Sequence, residues 1–146
     1  MTETIYFYAQ TDAYAAFSDF APFGVEMGGL WWRTVEHYFQ AMKFHDAAHR
    51  ERIRQCAKPK QAKALGMTRA VPLRPDWEEA KDTVMLDAVR VKFATYPKPR
   101  ALLLSTGEAW IVENAPMDAY WGCGPDETGL NSLGAILMQV RAELRG

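Results

Sequence analysis

The chain has 146 residues, of which 49% are apolar and 24% charged, and its formal net charge is −1. That length suits a single domain, spanning 1–146, with a core of its own, and the near-neutral balance argues against a broad basic nucleic-acid surface or attraction to a membrane. The N-terminus has no basic start or long apolar run, and no stretch approaches the roughly 20 apolar residues that span a bilayer, so a soluble, cytoplasmic protein is expected. Cys56 and Cys123 lie far apart, outside any CxxC pair and without zinc-ligand spacing to the histidines, and read as reduced thiols.

In chain order, Ile5–Tyr8 is β-branched and aromatic and reads as a strand. Tyr14 to Phe23 is loop-like. Gly24–Met27 and Leu30–Trp32 flank a Gly28-Gly29 pair and predict a hairpin. Thr34 is placed as N-cap of a helix from Val35 to about Asp46. A short helix follows over about His49–Ala57, and Pro59 opens another through Leu65, with Gly66 at its end. Asp76-Trp-Glu-Glu79 resembles a capping box and starts a long helix to about Thr95. A helix over Pro99–Ser105, a strand over Trp110–Val112, a glycine-rich loop over Asp118–Asn131 and a final helix from Ser132 to about Leu144 complete the chain. The sum is an α+β domain, rich in helices with one small sheet. Without regular strand–helix alternation, a Rossmann-type sheet is not expected.

Two segments carry chemistry. In Val35–Phe44, helical spacing puts Val35, Tyr38, Phe39 and Met42 on an inward face and brings Glu36, Gln40 and Lys43 together on an adjoining one. Spacing alone equally describes an exposed Glu–Lys pair. Beside so aromatic a face, however, an acid, an amide and an amine form a usable set for a sugar site: the carboxylate binds a hydroxyl or a developing cation, the amide orients, the amine attacks. His37 points to the opposite side and reads as structural. In the late loop, glycines at 122, 124 and 129 would let backbone approach a ligand. The helix start after it would suit phosphate, Asn131 is placed to cap that helix, and Trp121 offers a stacking platform with Asp118 nearby. The same features also describe a tight connection in which Asp118 braces a turn.

Together these segments resemble the YbiA-like or NADAR family. The likeness runs from about Ile5 to Arg141 through Phe17-Ser-Asp-Phe20, Glu36-His-Tyr-Phe-Gln40 with Lys43-Phe44, Ala62 to Gly66, Pro72-Leu-Arg74, Trp77, Ala88 with Lys92-Phe93, Leu102-Leu-Leu104, Asp118, Tyr120-Trp-Gly122, Gly124, Gly129, Asn131, Leu133-Gly134, Leu137-Met138 and Arg141. The resemblance implies a YbiA-like fold and N-glycosidase activity. It implies one of two substrates: 5-phosphoribosylamino-pyrimidine intermediates of riboflavin biosynthesis, or ADP-ribose attached to guanine, in which case nucleic acid is a partner only as the ADP-ribosylated substrate. Carried over by position, Glu36, Lys43 and Asp118 are the catalytic candidates. Ser18, Phe20, Gln40, Trp121, Gly122 and Asn131 are candidates for substrate binding. Trp77 is a further stacking candidate or a core anchor, and Arg69 and Arg74 are candidates for phosphate. Met67 stands where relatives often carry arginine, and Asp19 where asparagine is common.

Both substrates join the sugar C1 to an exocyclic nitrogen, so a lysine could attack the ring-opened imine, or a carboxylate could support direct hydrolysis. Neither route calls for a metal or redox cofactor. The near-neutral charge favours a small metabolite, although Arg50, Arg52 and Arg54 form a local basic strip. A non-catalytic ADP-ribose or nucleotide-binding module is the reading from another class, and the retention of Glu36, Lys43 and Asp118 argues against it.

Overall fold

A computed structural model describes residues 3–9 and 11–146. The elements are β1 (Thr4–Phe7), a 3-10 turn (Ala15–Phe17), β2 (Val25–Met27), β3 (Leu30–Trp32), α1 (Val35–Met42), α2 (Ala47–Arg54), α3 (Pro59–Gly66), α4 (Trp77–Thr95), α5 (Pro97–Ser105), β4 (Trp110–Glu113) and α6 (Ser132–Arg145). The chain divides into two compact units, Pro22–Lys92 and the remainder, and the boundary at Lys92 falls within α4. Among the described residues no helix is long and apolar enough to cross a membrane.

In the Pro22–Lys92 unit, β2 and β3 pair antiparallel with Val25 opposite Trp32. The turn between them uses Gly28 and Gly29 at positive φ, as a two-residue hairpin turn requires. Thr34 then starts α1: its hydroxyl oxygen accepts from the His37 N–H at 3.1 Å. The same hydroxyl meets Nδ1 of His37 at 2.8 Å, while Nε2 lies 2.9 Å from the Cys56 carbonyl. A carbonyl only accepts, so Nε2 carries the proton and Nδ1 accepts from Thr34. Burial also lowers the pKa of His37, which is a structural residue, as its position on the helix suggested.

Helix α1 stops at Met42 rather than near Asp46. Asp46 is extended and caps α2, taking the His49 N–H at 2.8 Å, and a residue cannot both continue one helix and cap the next. Helix α5 begins two residues early, because Pro97 suits the first helical position, where no N–H is needed. Asp76 starts α4 through its carbonyl, which accepts from Glu79 and Ala80, while its carboxylate goes to Arg74 instead of back to the helix. The core of this unit gathers Val25, Trp32, Val35, Phe39, Phe44, Ile53, Ala62 and Trp77, all buried.

In the other unit, β1 and β4 pair in parallel with Ile5 opposite Ile111. The strands thus form two separate two-stranded ladders in place of the one small sheet expected. Phe7 meets Phe17 edge-on at 5.8 Å, and Phe17 meets Phe93 at 6.1 Å. Helix α6 packs on β4 and α5. Its buried Arg141 donates to the Thr106 hydroxyl and the Ala109 carbonyl, each at 2.8 Å, which fixes α6 to the turn after α5.

Candidate active site

The three polar groups of α1 are not a solvated face. Glu36 is 6% exposed and Gln40 4%, although both are polar and sit next to the aromatic stripe. Nε2 of Gln40 donates to Oε2 of Glu36 at 2.7 Å. On its other side Oε1 of Gln40 is buried with no hydrogen-bond partner and abuts the Cα of Gly66. Gln40 is therefore held by protein on both sides. Its amide nitrogen is directed at Glu36.

Lys43 follows the last helical residue of α1. Its ammonium donates to the Gly66 carbonyl at 3.4 Å and lies 5.9 Å from the centre of the Phe39 ring. Burial pushes the amine below the ordinary lysine value, Glu36 opposes that shift, and the like charge of Lys63 adds to it. Lys43 also opens onto a cleft of about 510 Å³, lined by Gly66, Met67, Thr68, Arg69, Val71, Pro72, Leu73, Trp77 and Glu78. That volume is within the range of small-molecule sites, roughly 300–1,000 Å³. Trp77 is 6% exposed, packs on Phe39 at 5.1 Å, and forms part of the cleft wall.

The two arginines separate. Arg69 is exposed and lines the cleft. Arg74 is paired within the protein. Its Nε and Nη2 donate to Asp76 at 2.6 and 2.9 Å, and Nη1 reaches the Met42 carbonyl at 3.4 Å. A fork closed on a carboxylate has its preferred anion already, and the pair holds the Asp76 carboxyl down at about 2. Arg74 instead ties the segment before α4 to the end of α1, where its N–H also donates to the Lys43 carbonyl at 2.8 Å. The basic strip is likewise engaged: Arg54 is bidentate to Glu51, and Arg50 donates to the Phe44 carbonyl.

Oδ1 of Asp118 accepts from the N–H groups of Tyr120 and Trp121 at 3.0 and 2.8 Å, so this carboxylate braces the turn. A methyl at Gly122 would lie 2.8 Å from the Ala115 side chain and 2.9 Å from the Glu113 carbonyl. The missing side chain lets the backbone at Gly122 approach its own loop. The start of α6 is no open phosphate site, because the Tyr120 and Trp121 carbonyls accept from Ser132 and Leu133 at 3.0 and 3.1 Å.

Asn131 is corrected as a side-chain cap. It sits at φ 53° without capping α6 by its side chain. Its amide donates to the Ile111 carbonyl at 2.8 Å and accepts from the Glu113 N–H at 2.9 Å, pinning the loop to β4. Trp121 is half-buried and meets Tyr120 edge-on at 4.8 Å. In the early loop Ser18 accepts from the Phe20 N–H at 3.1 Å, and both residues are half-buried.

Val71 of the cleft wall is not among the residues singled out from the sequence. The available signal was the stretch Ala70–Pro75, with its two prolines and no helical period, which is the composition of an extended wall.

Comparison with known proteins adds the family. A family model described as the NADAR domain matches residues 6–145. N-glycosidase Npun_R5314 of Nostoc punctiforme is 46% identical over 145 residues, covering 97% of this chain and 93% of the relative. N-glycosidase YbiA of Escherichia coli is also 46% identical, covering 99% of this chain and 91% of the relative. An NMR structure of the E. coli protein YbiA matches with a TM-score of 0.91 at 45% identity, covering 99% of this chain and 87% of that one, in line with the α+β fold class expected. The chloroplastic riboflavin biosynthesis protein PYRR of Zea mays is 39% identical over 160 residues, covering 99% of this chain but 26% of the longer relative.

Proposed function

The chain belongs to the NADAR family, and from that membership we propose that it works as a single-domain N-glycosyl hydrolase on the bond between a phosphorylated ribose and an exocyclic base nitrogen. The preferred substrates are 5-phosphoribosylamino-pyrimidines of riboflavin biosynthesis. Their support is the 46% identity to relatives named N-glycosidases and the 39% identity to a relative named for riboflavin biosynthesis.

The observation that carries the reading is Lys43: an amine depressed by burial, opening onto a cleft beside a buried carboxylate. A neutral amine is a nucleophile, and a desolvated lysine reaches that state at lower pH. The glycosylamine opens its ribose ring, forming a C1=N imine to the base. The Lys43 nitrogen bonds to C1, a proton passes to the base nitrogen, and the C1–N(base) bond breaks as the free base leaves. The resulting protonated Schiff base takes up water at C1. The adduct then collapses, the C–N bond to Lys43 breaks, and the sugar aldehyde recloses to ribose phosphate. Glu36 is the group for the proton transfers. Arg69, exposed on the cleft wall, suits the phosphate. Asp118, with one oxygen engaged by two backbone N–H groups, suits loop bracing better than water activation.

The test is chromatographic release of free base from a phosphoribosylamino-pyrimidine, with ADP-ribosylated guanine assayed alongside. Borohydride added during turnover should fix the sugar on Lys43, read by mass spectrometry of the peptide. Full activity in Lys43→Ala with no trapped adduct would reject the Schiff-base route. Release from the guanine conjugate alone would transfer the assignment to that substrate.

A further inference from the structure

Two independent contacts converge on Gly66, the last residue of α3. A methyl added there would lie 1.9 Å from Oε1 of Gln40 and 2.7 Å from its amide carbon, so the Gln40 carboxamide fills the space any side chain would need. The Gly66 carbonyl, meanwhile, takes the Lys43 ammonium at 3.4 Å.

The Gln40 amide has one hydrogen-bonded side and one bare side. Nε2 donates to Glu36 at 2.7 Å, while buried Oε1 has no partner. A buried acceptor left without a donor is unfavourable by itself. The flipped amide would be worse, since it would set a carbonyl oxygen against the carboxylate. The tight fit of Oε1 against a Cα without a side chain keeps the amide seated with its NH₂ toward Glu36.

We propose that Gly66 is a positioning residue for the acid–amine pair: its missing side chain seats Gln40 so that Gln40 orients Glu36, and its carbonyl holds the amine of Lys43. One backbone position, at the end of a different helix, thereby sets both reacting groups, Glu36 on α1 and Lys43 just after it. As a statement about catalysis the inference rests on the N-glycosidase reading. As a statement about geometry it stands independently, and the experiment has an arm for each.

Gly66→Ala is compared with the parent, with Gln40→Ala and with the double variant. In the parent, nitrogen–proton NMR should show the Gln40 NH₂ with one proton shifted downfield and slow to exchange, assigned by its loss in Gln40→Ala. Gly66→Ala should lose that signature, and its kcat should fall about 100-fold with KM within roughly threefold, the size expected of a misplacement near one ångström. Removing the amide makes room for the methyl, so the double variant should melt close to Gln40→Ala and above Gly66→Ala, while its kcat stays low. Three results would each overturn the proposal: a Gly66→Ala protein that turns over like the parent, retention of the Gln40 signature in it, or a double variant no more stable than it. If the parent releases no base from either substrate, the functional reading fails, and the NMR and melting arms still decide the role of Gly66.

Discussion

Asn131→Ala separates the two roles considered for the late loop. The substitution removes a donor to the Ile111 carbonyl at 2.8 Å and an acceptor for the Glu113 N–H at 2.9 Å, and Ile111 is fully buried. Each lost bond is worth about 1 kcal/mol net, more where the group left behind is sealed from water. Alanine must also hold φ 53°, a left-handed conformation that asparagine tolerates and that costs alanine about 1 kcal/mol. The loss should total about 3–5 kcal/mol. For 146 residues at about 2.1 cal/mol/K each, that lowers Tm by roughly 10–16 °C. Asn131→Gly, which accepts the backbone conformation, should recover about 1 kcal/mol of the loss. Circular-dichroism melts and urea midpoints measure both. If Asn131→Ala melts within 2 °C of the parent while KM rises several-fold, the side chain faces the ligand and the pinning argument is wrong.

Because an attacking amine must be neutral, kcat/KM should rise with pH through a midpoint below the free-lysine value of about 10.4, since burial lowers Lys43. Lys63 lowers it further and Glu36 opposes both, so Lys63→Met should move the midpoint up; a flat profile or a downward move contradicts this. Carbon NMR of the Asp76 carboxyl should titrate at about 2, and Arg74→Leu should return it toward the ordinary 3.9 or so. With the folded value depressed, that pair contributes stability above the unfolded value, and the contribution is lost as pH falls from about 4 through about 2. Thr34→Val removes the cap acceptor for His37 and leaves Nδ1 without its partner, and should cost about 1–2 kcal/mol in urea unfolding.

Much of the architecture was legible from short-range chemistry. The Gly28-Gly29 hairpin, the Thr34 cap, Pro59 at the start of α3 and the grouping of Glu36, Gln40 and Lys43 each depend on residues within about one turn of one another. The limits of α1 were not, because Asp46 is claimed by the next helix. Nor was the pairing of β1 with β4, whose partners lie more than a hundred positions apart.

Local chemistry sets which residue types meet along α1 and where the chain turns, since a helix fixes its own side-chain spacing and glycine, proline and capping residues act on their immediate neighbours. How each polar group is employed depends instead on packing between segments distant in the chain. Asn131 serves β4, Arg74 closes on Asp76, Gln40 is wedged against Gly66, and the Tyr120 and Trp121 carbonyls occupy the helix start that would have suited phosphate. A buried donor or acceptor takes whichever partner packing brings within 3 Å or so, and apart from Arg74 and Asp76 those partners come from more distant stretches of chain, where sequence periodicity carries no information.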